Sequence, residues 1–126
     1  GLDFADISIG LNTDEMAVPF GEVAFMAERA ARVRRECDIP VGVSWNMGIP
    51  EVADRAVREG LTDLVFLGRP ALANPHWPVY AARELGHPDP YALIPEDWAW
   101  WIRTRPGPEA ALGWPPVGAR SKAGDC

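Results

Sequence analysis

Cysteine, histidine and lysine are all scarce in this chain. Its 126 residues hold two cysteines, Cys37 and Cys126, too few and too far apart for a disulfide framework or a cysteine zinc site. Both are expected as reduced thiols, and no metal site is expected. The two histidines, His76 and His87, each read as surface or packing residues rather than catalytic ones. Eleven of the twelve basic residues are arginine, Lys122 being the exception, and eighteen acidic residues bring the net charge to −6. That balance argues against a nucleic-acid partner, which calls for concentrated positive charge. No apolar run approaches the length of about 20 residues that a bilayer demands. No charged-then-apolar leader opens the chain. Neither membrane nor export is therefore expected, and the expected compartment is the cytoplasm.

What is present is an ordinary globular composition, 48% hydrophobic and 24% charged, enough for one domain and no more. Residues 4–9 (Phe-Ala-Asp-Ile-Ser-Ile) read as a buried strand. Because Gly1 is not an initiator Met and a strand starts almost at once, the chain is expected to be cut from something longer. A Gly/Asn/Thr/Asp loop follows, then a helix over about residues 22–36, with Val23, Phe25, Met26, Ala30 and Val33 as its apolar stripe. Arg34 and Arg35 close it where cations suit the helix dipole. A short strand over residues 39–43 leads through a loop with Gly48 and Pro50 to a helix over about residues 51–59, ended by Gly60. Residues 63–67 are apolar almost throughout, as in a strand buried on both faces, and Gly68-Arg69-Pro70 breaks it. A last helix spans about residues 77–85.

Strands alternating with helices at this spacing indicate βαβ units on a parallel sheet, hence an α/β fold. Three such strands leave two open edges and helices without neighbours, so a missing half or a partner is expected. From Gly86 onward prolines are frequent, and Trp98, Trp100, Trp101 and Trp114 fall within seventeen residues. Residues 96–104 suit a short helix with Trp98 and Trp101 on one face, and the stretch beyond Pro106 reads as a flexible tail. The expected organisation is residues 1–86 as three βα units and 87–126 as a Trp/Pro-rich tail. Glu28/Arg32 and Asp54/Arg58 are expected as solvated i,i+4 pairs, and Asp6 and Ser8 as strand-end polar residues satisfied by loops.

In a parallel sheet the ligand lies beyond the C-terminal strand ends. Ser44-Trp45-Asn46-Met47-Gly48 follows the second strand, and Gly68-Arg69 follows the third. Gly68 allows close backbone approach and Arg69 offers a fork of donors, the parts a phosphate needs. By spacing alone the same dipeptide also serves as a plain βα turn.

The stretch Asp63-Leu-Val-Phe-Leu-Gly-Arg-Pro-Ala-Leu-Ala-Asn-Pro-His-Trp-Pro78 resembles the strand-eight signature of the Old Yellow Enzyme family. It is most similar to the xenobiotic reductase and thermophilic-like branch, which reads D-L-V-x-x-G-R-x-x-L-x-D-P-x-W there. Phe25-Met-Ala-Glu-Arg-Ala-Ala-Arg-Val-Arg-Arg-Glu36 resembles that branch's sixth helix, and Ser44-Trp-Asn-Met-Gly-Ile-Pro50 its strand-seven loop. The resemblance covers about residues 2–104. It implies the last three βα units of an FMN-binding (β/α)8 barrel, from an ene-reductase that takes hydride from NAD(P)H and reduces activated C=C bonds. It further implies that Ser44, Trp45, Asn46, Gly68 and Arg69 hold the FMN phosphate, and that Trp45 lines the substrate face. Trp101 matches a tail tryptophan that reaches a neighbouring subunit's site, implying a homo-oligomer. Similar enzymes often have Gly where this chain has Asn46. The family's substrate-anchoring His/His or His/Asn pair, its proton-donating Tyr and its flavin-tuning residue all lie upstream, so no catalytic residue is expected in this segment. Two alternatives stand beside this reading. One is a truncated or split fragment, inactive alone, that assembles with a partner. The other is a different phosphate-binding barrel, such as a sugar-phosphate isomerase.

Overall fold

Val41 and Val43 lie two apart on strand β2 (Val41–Val43), so their side chains point to the same side of the sheet, and both are completely buried. In the computed structural model, which describes residues 1–9, 19, 21–105, 107 and 109–113, this face of β2 carries the core. It packs with Met26, Ala30, Met47 and Ala56. Strand β1 (Ala5–Ile7) and strand β3 (Leu64–Val65) flank β2, both parallel to it, in the order β1-β2-β3. Helix α1 (Ala27–Cys37) contributes Ala30, and helix α2 (Pro50–Arg58) contributes Ala56. Their alanine-lined faces let both helices lie close against the valines.

The opposite face of the sheet is different in kind. Gly42 has no side chain there, and a Cβ added to it would stand 2.4 Å from the Phe66 ring and 2.6 Å from the Phe4 ring. Those two rings meet edge to face, their centroids 6.0 Å apart. Leu64 shares this side, paired in register with Gly42, and is 53% exposed, with Phe66 at 37%. The expectation that β3 is buried on both faces is therefore not met. β3 forms the edge of the three strands and only its helix-facing side is covered.

The chain divides into two compact units, Gly1–Pro75 and His76–Cys126. The first holds the sheet, α1, α2 and a five-residue helix α3 (Arg69–Ala73). In the second, helix α4 (Trp77–Glu84) and helix α5 (Glu96–Thr104) both pack on a 3-10 turn over Pro90–Leu93. Arg103 locks this unit from α5, donating through Nη2 to Asp89 at 2.8 Å and through Nη1 to Glu96 at 3.1 Å. The Arg103 hydrogen bond holds the Asp89 carboxyl below its ordinary range.

Several boundaries differ from the sequence expectation for identifiable reasons. The first helix starts at Ala27 rather than near residue 22, because Ala24 takes a left-handed φ of 56° that interrupts helical geometry. β3 already ends at Val65, ahead of the Gly68-Arg69-Pro70 break expected to stop it, and Pro70 does not prevent helix. It sits in the first turn of α3, where a missing N–H costs nothing. Arg58 pairs with Asp54 at 2.8 Å as expected, whereas Arg32 reaches forward to Glu36 at 2.7 Å rather than back to Glu28. Glu28 lies in the first turn of α1, already favoured by the positive end of the helix. The loop expected over residues 10–14, Trp114, the tail beyond Pro106 apart from residues 107 and 109–113, and Cys126 lie outside the described residues. Cys37 is an exposed free thiol. Among the described residues no helix is long and apolar enough to cross a membrane, and no group of three or more His, Cys, Asp or Glu is placed to hold a metal ion.

A polar latch closes the end of the sheet opposite the loops that follow the strands. Asp63 accepts from Arg34 Nε at 3.0 Å and from the Val41 backbone N–H at 2.9 Å, while its own N–H donates to the Val41 carbonyl. The buried Thr62 hydroxyl lies 2.8 Å from the Leu64 carbonyl and 3.0 Å from that of Val41. The Arg34 hydrogen bond, then that from Val41, hold the Asp63 carboxyl below its ordinary value near 3.8. A carboxylate whose folded pKa is depressed stabilises the fold above its unfolded pKa, and that contribution is lost as pH falls through the lower folded value. Below about pH 4, Asp63→Asn is therefore expected to show a shallower fall in urea midpoint than the unaltered chain. Equal slopes in the two proteins would dismiss Asp63 as a contributor to acid sensitivity.

Candidate functional site

Two connections leave the C-terminal ends of neighbouring parallel strands and meet: the Ser44–Gly48 loop after β2, and the loop after β3 that runs through Gly68 into the first residues of α3, Arg69 and Pro70. In the first loop Trp45 has φ 87° and Asn46 φ 54°. Asparagine tolerates the left-handed region, but a bulky aromatic there is rare and costs on the order of 1–3 kcal/mol. The surrounding packing enforces it. The Trp45 ring stands edge-on to Phe25, centroids 5.1 Å apart, and Met47, two residues on, is driven into the core at 1% exposure. Gly48 then allows the second loop to close in, since a Cβ at this position would lie 2.5 Å from Cγ of Pro70.

In the second loop a Cβ added to Gly68 would meet nothing within 4 Å. The space over this backbone is open. Arg69 Nη2 donates to Asn46 Oδ1 at 3.3 Å, and Asn46 Nδ2 donates in turn to the Glu22 carbonyl at 3.0 Å. Around these groups lies a hollow of about 750 Å³ that Ser44, Trp45, Asn46, Gly68 and Arg69 all line, together with Phe66. Its volume falls in the range of small-molecule sites, roughly 300–1,000 Å³. None of the described residues that line it is acidic, in a chain with eighteen Asp and Glu. The hollow thus presents an arginine charge and a serine hydroxyl against Trp45, Phe66 and Ile49. Such a donor set suits an anionic group attached to a flat apolar body.

All five residues singled out after the strands therefore come together. Trp101 lies in the other unit, on α5, where its ring meets Trp100 edge to face at 5.1 Å and carries the Arg105 guanidinium at 5.0 Å. His76 lies edge-on to Trp98, centroids 6.2 Å apart, and His87 Nδ1 accepts from the Asp89 N–H at 3.1 Å. Phe66 and the Glu22 carbonyl were not singled out from the sequence. Phe66 looked like one more apolar residue of a strand, and a backbone carbonyl leaves no sequence signal. The Gly48–Pro70 contact was equally invisible, because it joins residues twenty-two positions apart.

No known protein-family profile matches the chain. Individual proteins do. The chain is 39% identical over 88 residues to an NADPH dehydrogenase of Geobacillus thermodenitrificans (strain NG80-2), a match that takes in 68% of this chain and 25% of that protein. An NADPH dehydrogenase of Geobacillus sp. (strain WCH70) is 38% identical over 88 residues, with the same shares. One of Bacillus licheniformis is 30% identical over 87 residues, covering 68% of this chain and 24% of the relative. The chain spans about a quarter of the length of these curated relatives.

Proposed function

We propose that this chain is the phosphate-binding C-terminal part of an FMN-dependent NADPH oxidoreductase that reduces activated C=C bonds. The observation that carries the reading is the meeting of Arg69, Gly68, Ser44, Trp45 and Asn46 in one hollow whose described lining residues include no acidic side chain. The name shared by the relatives, NADPH dehydrogenase, supports the redox class, and the resemblance to the Old Yellow Enzyme family supports FMN and the alkene substrate.

The residues fit the cofactor's phosphate end. Arg69 supplies charge and planar donors, Ser44 a hydroxyl, and Gly68 an approach to backbone that no side chain blocks. Trp45 and Phe66 offer apolar surface beside that anchor. When bound, FMN supplies the hydride chemistry itself. This chain's part is to hold one end of the cofactor and keep it oriented. A cytoplasmic location belongs to the same proposal, as does a homo-oligomer in which Trp101 reaches a neighbouring subunit.

One observation favours a second reading, in which this chain alone is inactive. The Phe4, Leu64 and Phe66 side of the sheet is only partly covered, and the chain spans about a quarter of its relatives. On that reading further strands, from the same polypeptide or a partner, cover that side and bring the catalytic groups.

The test is a fluorescence titration of the chain with FMN and, separately, with riboflavin, which lacks the phosphate. FMN is expected to bind more tightly than riboflavin. Arg69→Ala is expected to weaken FMN on the order of 10–100-fold, the worth of a charge-assisted hydrogen bond to phosphate, and to leave riboflavin unchanged. Equal affinity for the two flavins would remove the phosphate anchor from the proposal.

A further inference from the structure

We infer that Asn46 is the positioning residue that aims Arg69 into the hollow, a proposal that rests on the phosphate reading above. The side-chain amide of Asn46 faces two ways. Oδ1 accepts from Arg69 Nη2 at 3.3 Å, and Nδ2 donates to the Glu22 carbonyl at 3.0 Å. Glu22 lies in the turn before α1, Asn46 in the loop after β2, and Arg69 at the first position of α3, just past the connection that follows β3. One amide therefore ties the connections that follow three successive strands, all at the same end of the parallel sheet.

Residue chemistry singles out asparagine for this task. The backbone at position 46 is left-handed, with φ 54°, which glycine and asparagine tolerate best. Glycine would keep the backbone and lose the tie. Aspartate would keep an acceptor for Arg69 but could not donate to the Glu22 carbonyl when ionised, and its charge would neutralise the guanidinium. Asparagine combines the conformation, a donor, an acceptor and no charge. Arginine side chains are long and rich in rotamers, and Arg69 is exposed. A neutral partner narrows where its guanidinium points without cancelling the charge that an anion would meet.

The experiment is a double-mutant cycle on the full chain, with FMN and riboflavin as probes and Asn46→Gly, Arg69→Ala and their combination as variants. Circular dichroism first verifies that each variant is folded. Asn46→Gly is expected to weaken FMN roughly 2- to 10-fold, the worth of an ordinary hydrogen bond, and to leave riboflavin unchanged. In the Arg69→Ala background the same change is expected to cost nothing further, because a residue that works through another adds nothing once that one is gone. Equal losses in both backgrounds, or no loss in either, would overturn the role of Asn46. The phosphate reading would then stand as long as Arg69→Ala alone still weakens FMN. An unaltered chain that does not prefer FMN to riboflavin would overturn the phosphate reading and this proposal with it. Asn46→Asp provides an independent check. It is expected to weaken FMN more than Asn46→Gly does, and affinity equal to that of the unaltered chain would also overturn the proposal.

Discussion

Replacing Met47 with alanine is expected to destabilise the folded chain by about 2–5 kcal/mol, the range for truncating a fully buried large side chain. Met47 is 1% exposed and packs among Met26, Ala30, Val41, Val43 and Ala56. Most of these neighbours are alanine and valine, whose side chains are too short to fill the void left by the thioether. The residue also comes directly after Trp45 and Asn46, both left-handed, so its burial helps hold a backbone that would otherwise relax. The loss is read from urea unfolding followed by circular dichroism, with a fall in midpoint at unchanged slope. A cost under about 1 kcal/mol would mean that the loop is not anchored through Met47. FMN affinity is expected to fall as well, because the loop that carries Ser44, Trp45 and Asn46 loses its inward tether.

The second large effect is expected at Gly48. A Cβ there would sit 2.5 Å from Cγ and 3.1 Å from Cβ of Pro70. The proline ring is tied to its own backbone and cannot swing aside, so α3 or the loop must move. Gly48→Ala is expected to cost about 1–3 kcal/mol, as for overpacking in a close contact. Gly42 makes a useful contrast. Its nearest neighbours are the far ends of the Phe66 and Phe4 rings, both on the partly covered side of the sheet, so these rings have room to turn outward. Gly42→Ala is therefore expected to cost less than Gly48→Ala, and the reverse order in unfolding experiments would mean that the Phe4 and Phe66 rings are held more firmly than their exposure suggests.

The βαβ rhythm was readable because local rules produced it. Short apolar runs marked β1, β2 and β3, Pro50 marked the start of α2, and the Glu96–Thr104 helix fell where the spacing of Trp98 and Trp101 put it. Their position after the strands, together with the family resemblance, also pointed to Ser44, Trp45, Asn46, Gly68 and Arg69. What they could not supply was the order of contacts among those residues. The Asn46 amide bridge depends on a left-handed φ that no residue type dictates, and on a backbone carbonyl twenty-four positions away. The start of α1 was misplaced because an apolar stripe cannot reveal that Ala24 leaves helical geometry. The exposure of Leu64 and Phe66 was misjudged because an apolar strand reads the same whether or not something covers its second face.

By itself, then, the sequence determined the class of fold, the alternation of strands and helices, and the short list of residues around a candidate anion site. The first two follow from side-chain chemistry and spacing along the chain, and the residue list from the family resemblance of those segments. Only the tertiary structure decided that Met47 is buried, that Gly48 yields to Pro70, and that Asn46 joins three loops. Those depend on close packing between residues far apart in the chain, where a difference of an ångström in backbone approach separates contact from clash.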